Sequence, residues 1–373
     1  MKKILIVSTV SRQFYLFEQG NIAVLKSLGY EVHTAANFSD ANERLDVLDI
    51  IRHHIDIERS PFSLKNIKAY KQLKKLMKSE NFNVIHCHSP MGGVLSRLAA
   101  RSVGISPVIY TAHGFHFYKG APLINWLLFY PVEKFLSKFT DVIITINKED
   151  YHRARKFNAK NVTYVPGVGV DTKKFNGFLI DRDKKRMELG IPKDAFVILS
   201  VGELNKNKNH VAIINAISKM NNLNVFYIVC GQGDRKAYIK ELADSLKIAD
   251  RIKLLGFRND MVELYKTADI FAFPSYREGL SVSLMEAMAS GLPCVVSNIR
   301  GNVDLIDDYL IDPDDVEGFA NVINELIEND SGRDKVSNYN LELVKNYDIE
   351  HIKTAMEEIY IDLLESGSSR SNT

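Results

Sequence analysis

Apolar residues along this chain fall into short β-branched runs separated by longer amphipathic stretches. The runs at Lys3–Ser8, Glu31–Ala35, Val84–Cys87, Val108–Thr111, Asp141–Thr145 and Val162–Val165 read as buried strands. Between them, apolar residues recur at helical spacing near Phe14–Leu28, Leu64–Ser79, Gly92–Val103, Leu123–Lys138 and Glu149–Phe157. This alternation predicts a doubly wound parallel sheet. The pattern breaks at Pro166-Gly167-Val168-Gly169-Val170-Asp171 and in the charged stretch Asp181–Arg186, then resumes. The second set of strands is expected at Ala195–Val201, Val225–Val229, Ile252–Leu255, Asp269–Phe273 and Cys294–Val296, with late helices near Val316–Glu328 and Ile349–Leu364. Two α/β domains follow, 1–170 and 171–345, with a helix over 346–365 and a polar tail over 366–373 that is expected to be disordered.

Composition narrows the class. A chain that is 46% hydrophobic and 25% charged is an ordinary soluble globular protein, and no apolar stretch reaches the ~18–20 residues that span a bilayer. The apolar run at the N-terminus is short and is followed by Arg12 and Glu18, so it reads as a first strand, not a signal peptide. Cys87, Cys230 and Cys294 each sit in an apolar run without metal spacing, as buried thiols of a cytosolic protein would. The net charge of +2 hides an asymmetry: residues 1–170 hold 23 Lys and Arg against 13 Asp and Glu, and the remainder 25 against 33. A basic first half points to an anionic partner. No aromatic-basic platform or helix-turn-helix pattern accompanies it, which argues against nucleic acid and leaves an anionic membrane surface.

The densest chemistry lies between Ser275 and Pro293, where Glu278 and Glu286 stand eight positions apart. Ser281 is a natural N-cap, Val282–Ala289 are good helix formers, Gly291 marks the exit and Pro293 prevents return. With strands on both sides this is a βαβ unit, whose ligand belongs at the carboxyl end of the first strand. The N–H groups of Leu280 to Ser283 favour a diphosphate there. Glu278 on the loop and Glu286 deeper in the helix offer acceptors to sugar hydroxyls on either side, which suits a nucleotide-sugar. The plain alternative is a surface loop glutamate and a solvated helix glutamate.

This run resembles the E-x7-E signature of retaining glycosyltransferases of family 4, and the likeness extends from the Lys2–Val7 strand to about Tyr360. It implies the GT-B fold: two Rossmann-like doubly wound parallel-sheet domains facing a cleft, the first binding acceptor, the second nucleotide-sugar, with the last helix returning to the first domain. It further implies that Glu278 contacts the donor sugar, that Gly279, Leu280 and Ser281 carry the diphosphate, and that Glu286 holds the ribose. The likeness is close to bacterial enzymes of capsular, exopolysaccharide and lipid-linked oligosaccharide synthesis. The expected activity is therefore transfer of a hexose or N-acetylhexosamine from a UDP-sugar to a polyprenyl-diphosphate-linked saccharide. It would proceed with retention, without cofactor or obligatory metal, in the cytoplasm at the inner face of the cell membrane. A sugar-nucleotide epimerase of the same fold, or a catalytically degenerate member acting as a partner subunit, are the alternatives.

Other segments are read against that expectation. After Gly202 the family usually carries an arginine, here Glu203; Lys208 keeps the family's lysine position, and Lys206 is a possible substitute cation for the diphosphate. Phe257 and Arg258, after a glycine-terminated strand, are candidates to touch the base. His86-Cys87-His88 and the run from Thr111 to Tyr118 match no familiar metal-ligand spacing, so no metal is expected. His113 matches the histidine that family members place beside the donor sugar, and Phe115, Phe117 and Tyr118 are either candidate acceptor contacts or simple core packing. In Leu64–Lys78, an apolar face of Leu64, Ile67, Leu73, Leu76 and Met77 is surrounded by lysines; it reads as a surface helix docked on its own sheet or, with Trp126 and its aromatic neighbours, as a candidate for membrane contact. Between Asp308 and Tyr309 the chain lacks the slightly longer glycine-containing turn usual in the family.

Overall fold

The structure is a computed structural model and describes residues 2–40 and 43–368. It forms two units: one runs to Val168 and resumes at Glu350, the other is Gly169–Ile349.

Among the described residues the first unit is a parallel sheet of β1 (Lys2–Val10), β2 (Tyr30–Asn37), β3 (Ile51–His54), β4 (Val84–His88), β5 (Val108–Ala112), β6 (Val142–Thr145) and β7 (Asn161–Tyr164). Its order is β3-β2-β1-β4-β5-β6-β7. Because side chains alternate across a strand, β1 feeds two cores: Leu5 and Val7 join the cluster with Leu73, Leu95 and Tyr110, while Ile4 and Ile6 join Phe14, Leu25 and Val142. The helix Ile349–Ser368 closes the second cluster with Ile352, Met356 and Tyr360, which share one face at four-residue spacing. This helix runs to Ser368, into the tail expected to be disordered; the rest of that tail lies outside the described residues.

The second unit holds β8 (Phe196–Val201), β9 (Val225–Cys230), β10 (Ile252–Gly256), β11 (Ile270–Phe273), β12 (Cys294–Ser297) and β13 (Leu310–Ile311), all parallel, in the order β10-β9-β8-β11-β12-β13. Strand order reverses between β1 and β4 in one sheet and between β8 and β11 in the other. In open α/β sheets a ligand binds outside the carboxyl ends of the strands at such a reversal point.

Several local expectations need correction. The single helix over Phe14–Leu28 is two, Arg12–Phe17 and Gln19–Ser27, broken at Glu18 with φ −108° and ψ 2°. The edge strand β3 was not expected, because its sequence Ile-Arg-His-His carries no apolar pattern. The lysine-rich helix is Lys65–Glu80 and buries Asn66, Ala69, Leu73 and Met77, leaving Leu64 and Ile67 exposed. At the shortened turn Tyr309 adopts φ +52°, so a tyrosine stands in the left-handed region, with its hydroxyl donating to Glu325 at 3.1 Å.

Candidate active site

In the second unit, the loops after β8 and β11 converge on the switch point. Lys208 Nζ donates to Glu278 Oε1 at 2.7 Å and lies 4.5 Å from the Phe273 ring centroid. Both side chains are largely buried. Gly202 makes room for this lysine, since a Cβ there would stand 3.0 Å from Lys208 Cε. The two loops are tied together: Asn207 Nδ2 donates to Arg277 O at 2.9 Å, and Tyr276 N–H donates to Asn207 O at 2.8 Å. Lys206 is exposed outside these ties. Glu203, in the family's arginine position, accepts from Asn205 Nδ2 within its own turn.

Ser281 caps the helix Val282–Ala289 as expected, its Oγ accepting from Leu284 N–H at 3.3 Å. The loop before it, with Gly279 and Leu280, is clamped from behind by the turn after β12. Arg300 Nε donates to Glu278 O at 3.3 Å. Gly301, at φ +85°, lies so close that a Cβ would meet Gly279 O at 2.3 Å. Only glycine fits both the dihedral and the gap. One turn into the helix, Glu286 accepts from the Tyr265 hydroxyl at 2.9 Å, and burial raises its pKa against that bond. Tyr265, from helix Met261–Thr267, has no signature in the sequence that marks it as a site residue.

Beyond β10, the Phe257 ring is more than half exposed. Arg258 is engaged by Asp260 through Nε at 2.7 Å and also through Nη2. With Arg258 first and Lys185 beside it, the Asp260 carboxyl is held far below its usual range.

In the first unit, the ends of β4 and β5 bring His88 and His113 together, Nδ1 to Nε2 at 3.1 Å. Glu18, from the helix break, reaches His88 Nδ1 at 3.2 Å. Gln13 Nε2 lies 3.0 Å from Glu18 Oε1 and 3.2 Å from His113 Nε2, and Asn21 Nδ2 donates to Glu18 Oε2 at 2.7 Å. Sequence spacing gives no hint of this cluster, because Glu18 is seventy residues from His88. The donor atoms of Glu18, His88 and His113 lie within 4.8 Å of one another, near enough to approach one metal ion, yet side-chain hydrogen bonds already engage each of them. Burial holds His113 down at about 4 and His86 at about 3, with His88 also well below the imidazole range, and pushes Glu18 up to about 7.

Beside this cluster is a cavity of about 690 Å³, with Arg12 and Arg59 among its polar lining and Phe62, Met91, Phe115 and Phe129 among its apolar lining. Phe115 is buried and stacked on Phe117, ring centroids 4.8 Å apart, so it serves as a wall. Tyr118 does not line the cavity. Trp126 packs inward against Phe117 and Tyr130 beneath the Arg153 guanidinium, which corrects its reading as an interfacial residue. The exposed apolar residues of its helix, Leu123–Leu136, are instead Leu123 at 80% exposure, Leu127 at 71%, Ile124, Phe135, Leu128 and Val132. Phe62, on the cavity rim, is 81% exposed. No helix among the described residues is long and apolar enough to cross a membrane.

Residues 181–360 match the family described as glycosyl transferases group 1, and residues 3–147 match glycosyl transferase 4-like. The chain is 38% identical to EpsD of Bacillus subtilis (strain 168) over 336 residues, 87% of either protein. It is 30% identical to the UDP-Gal:alpha-D-GlcNAc-diphosphoundecaprenol alpha-1,3-galactosyltransferase of Escherichia coli over 313 residues, 81% of either. Its fold is that of Anabaena HepE, solved in complex with UDP and glucose, at TM-score 0.81 and 20% identity, covering 97% of this chain and 100% of the other.

Proposed function

The chain belongs to the group 1 glycosyl transferases, and on that premise we propose that it moves a hexose or N-acetylhexosamine from a UDP-sugar to a polyprenyl-diphosphate-linked saccharide. The observation that carries this reading is the arrangement at the β8–β11 switch point. There a lysine–carboxylate pair, Lys208 and Glu278, stands before a capped helix start, with the second carboxylate, Glu286, deeper in the same helix.

Each group has a chemical task. The helix amides around Gly279, Leu280 and Ser281 receive the diphosphate. Lys208 offers its ammonium to the charge that grows on the leaving diphosphate. Glu278, freed from Lys208, accepts from the donor sugar's hydroxyls. Glu286, oriented by Tyr265, accepts from the ribose diol. Phe257 offers an exposed ring to the base. His113 is assigned to the transferred sugar. Retention of configuration is supported by the Glu278–Glu286 spacing and the family match, and the lysine and amides meet the diphosphate charge without an obligatory metal.

The acceptor reading rests on the first unit's cavity. Arg12 and Arg59 suit a diphosphate, and the apolar lining of Phe62 with part-exposed Leu128 and Val132 suits an isoprenoid tail entering from the inner face of the cell membrane. The named activity of the Escherichia coli relative, on a diphosphoundecaprenol-linked sugar, supports the same class of acceptor and a role in cell-surface polysaccharide synthesis. The test is incubation with a panel of UDP-sugars and a lipid-linked acceptor extract, reading UDP release and a heavier lipid-linked product. Release that depends on both substrates is expected. No release with any UDP-sugar, from a protein that also fails to bind UDP, would sink the reading.

A further inference from the structure

The sugar-transfer reading gives His113 a task but leaves the buried groups behind it without one. His113 Nε2 points inward to two neighbours, Gln13 Nε2 at 3.2 Å and His88 Nδ1 at 3.1 Å. Both of those atoms also face Glu18 Oε1, at 3.0 Å and 3.2 Å. An ionised carboxylate only accepts. Gln13 must therefore present its amine side to Glu18, and His88 must carry its proton on Nδ1. Between those two donors, His113 Nε2 has room only for a lone pair, and its proton belongs on Nδ1.

We propose that Glu18 and His88 are positioning residues that fix the tautomer of His113, keeping Nε2 as an inward acceptor and Nδ1–H as the donor it presents to the sugar substrate.

Three further observations fit this assignment. With its proton on Nδ1, His88 must leave Nε2 as a bare lone pair, and that atom is buried without a hydrogen-bond partner. Glu18 is almost fully buried, and it sits where one expected helix breaks into two, so the backbone turns to deliver this side chain inward. Third, the histidines are neutral. His86, tilted against His88 with ring centroids 4.2 Å apart, lies 2.9 Å from the Tyr360 hydroxyl and 2.8 Å from Thr111 Oγ1, and burial disfavours charge on all three rings. The groups facing Glu18 are thus the amides of Gln13 and Asn21, the neutral rings of His88 and His113, and, more remotely, Tyr360 of the last helix. Protonating Glu18 supplies an O–H donor to His88 Nδ1, sends the His88 proton to Nε2 and removes one of the two donors that hold His113.

This inference rests on the glycosyl-transfer reading for its substrate, but its test does not. In the full chain labelled with ¹⁵N-histidine, long-range proton–nitrogen spectra at pH 8.5 are expected to show His88 and His113 neutral with Nδ1 protonated. Near pH 6 the His88 signal should move toward the Nε2–H form. Folded Glu18→Leu, which leaves no acceptor at this position, should mix the tautomers of both His88 and His113 at every pH. In the transfer assay its kcat is expected to fall about tenfold to a hundredfold, while donor KM and UDP affinity stay within about twofold. A His113 proton on Nε2 in the wild-type protein overturns the proposal even if the variant does not fold, and so does an unchanged pair of tautomers in folded Glu18→Leu. One equivalent of metal retained by the wild-type protein and lost in Glu18→Leu also overturns it, since these atoms are then ligands. Expected tautomers in a protein that transfers no sugar support the assignment at the ring and overturn the transfer reading alone.

Discussion

Lys208 and Glu278 neutralise each other across two loops, Nζ to Oε1 at 2.7 Å. A diphosphate arriving at the helix start competes with Glu278 for the same ammonium. Removing the carboxylate therefore separates binding from turnover. Glu278→Gln is expected to bind UDP at least as tightly as the wild-type protein, while its transfer rate falls by about a hundredfold. Calorimetry with UDP and steady-state rates check the two halves. UDP binding weakened in parallel with turnover would remove Glu278 from the sugar and make it a scaffold for the loop.

Lys208 and Lys206 are told apart by the same assay. Lys208→Ala should lower kcat far more than Lys206→Ala, because only Lys208 is held among the groups of the site. Equal small effects would shift diphosphate stabilisation to the helix amides.

Glu286→Ala should weaken UDP binding by about 1.5–3 kcal/mol, roughly tenfold to a hundredfold, through loss of a charge-assisted bond to the ribose. Tyr265→Phe removes only the orienting hydroxyl and should cost about 0.5–1.5 kcal/mol. UDP affinity unchanged in folded Glu286→Ala would withdraw the ribose assignment.

Glu18 links pH to stability. Its carboxyl rises from 4.5 to about 7 on folding, because burial outweighs the Asn21 and Gln13 bonds. The folded state thus binds the proton more tightly, so the contribution is fully present below about pH 4.5 and is lost as pH rises through about 7. The span corresponds to about 3 kcal/mol. Urea denaturation at pH 5 and pH 8 should show the wild-type protein losing this amount relative to Glu18→Gln. Parallel pH profiles for the two proteins would mean that Glu18 is not buried as a carboxylate.

Association with anionic vesicles should have two components. Lys71, Lys74, Lys75 and Lys78 line one shallow depression, whereas Lys68 and Lys65 are paired with Asp56 and Glu58. Replacing those four lysines by Gln should abolish the salt-sensitive part of co-sedimentation. Leu127→Glu should remove the part that survives high salt, and Trp126→Ala should not do so without also destabilising the core. Wild-type protein that ignores anionic vesicles at low salt would favour a soluble acceptor.

The sequence revealed what is periodic or contiguous. Strand alternation gave both sheets except the edge strands β3, whose largely exposed residues carry no apolar signal, and β13, which is only two residues long. The Ser281 cap and the helix to Ala289 were legible because helix boundaries are written locally. What sequence hid was assembled in three dimensions. Tyr265 reaches Glu286 across two secondary elements, Asn207 ties two loops, and Glu18 meets His88 only because a helix breaks. Trp126 misled for a related reason: the run around it is apolar throughout, and only packing decides that the Trp faces inward while Leu123 and Leu127 face out. The placement of Glu278 before a capped helix and of Glu286 within it was readable as a pattern, whereas the Lys208–Glu278 pair was not.

The helix from Ile349 onward places Ile352, Met356 and Tyr360 into a core whose other members precede residue 170. This gives the protein an order of assembly on the ribosome. The Gly169–Ile349 unit is contiguous and can fold as soon as it has emerged, whereas the unit begun first must wait for the chain's last helix with part of its apolar interior uncovered. Nascent chains stalled before Ile352 should therefore contain a protease-resistant later unit and a chaperone-bound earlier one.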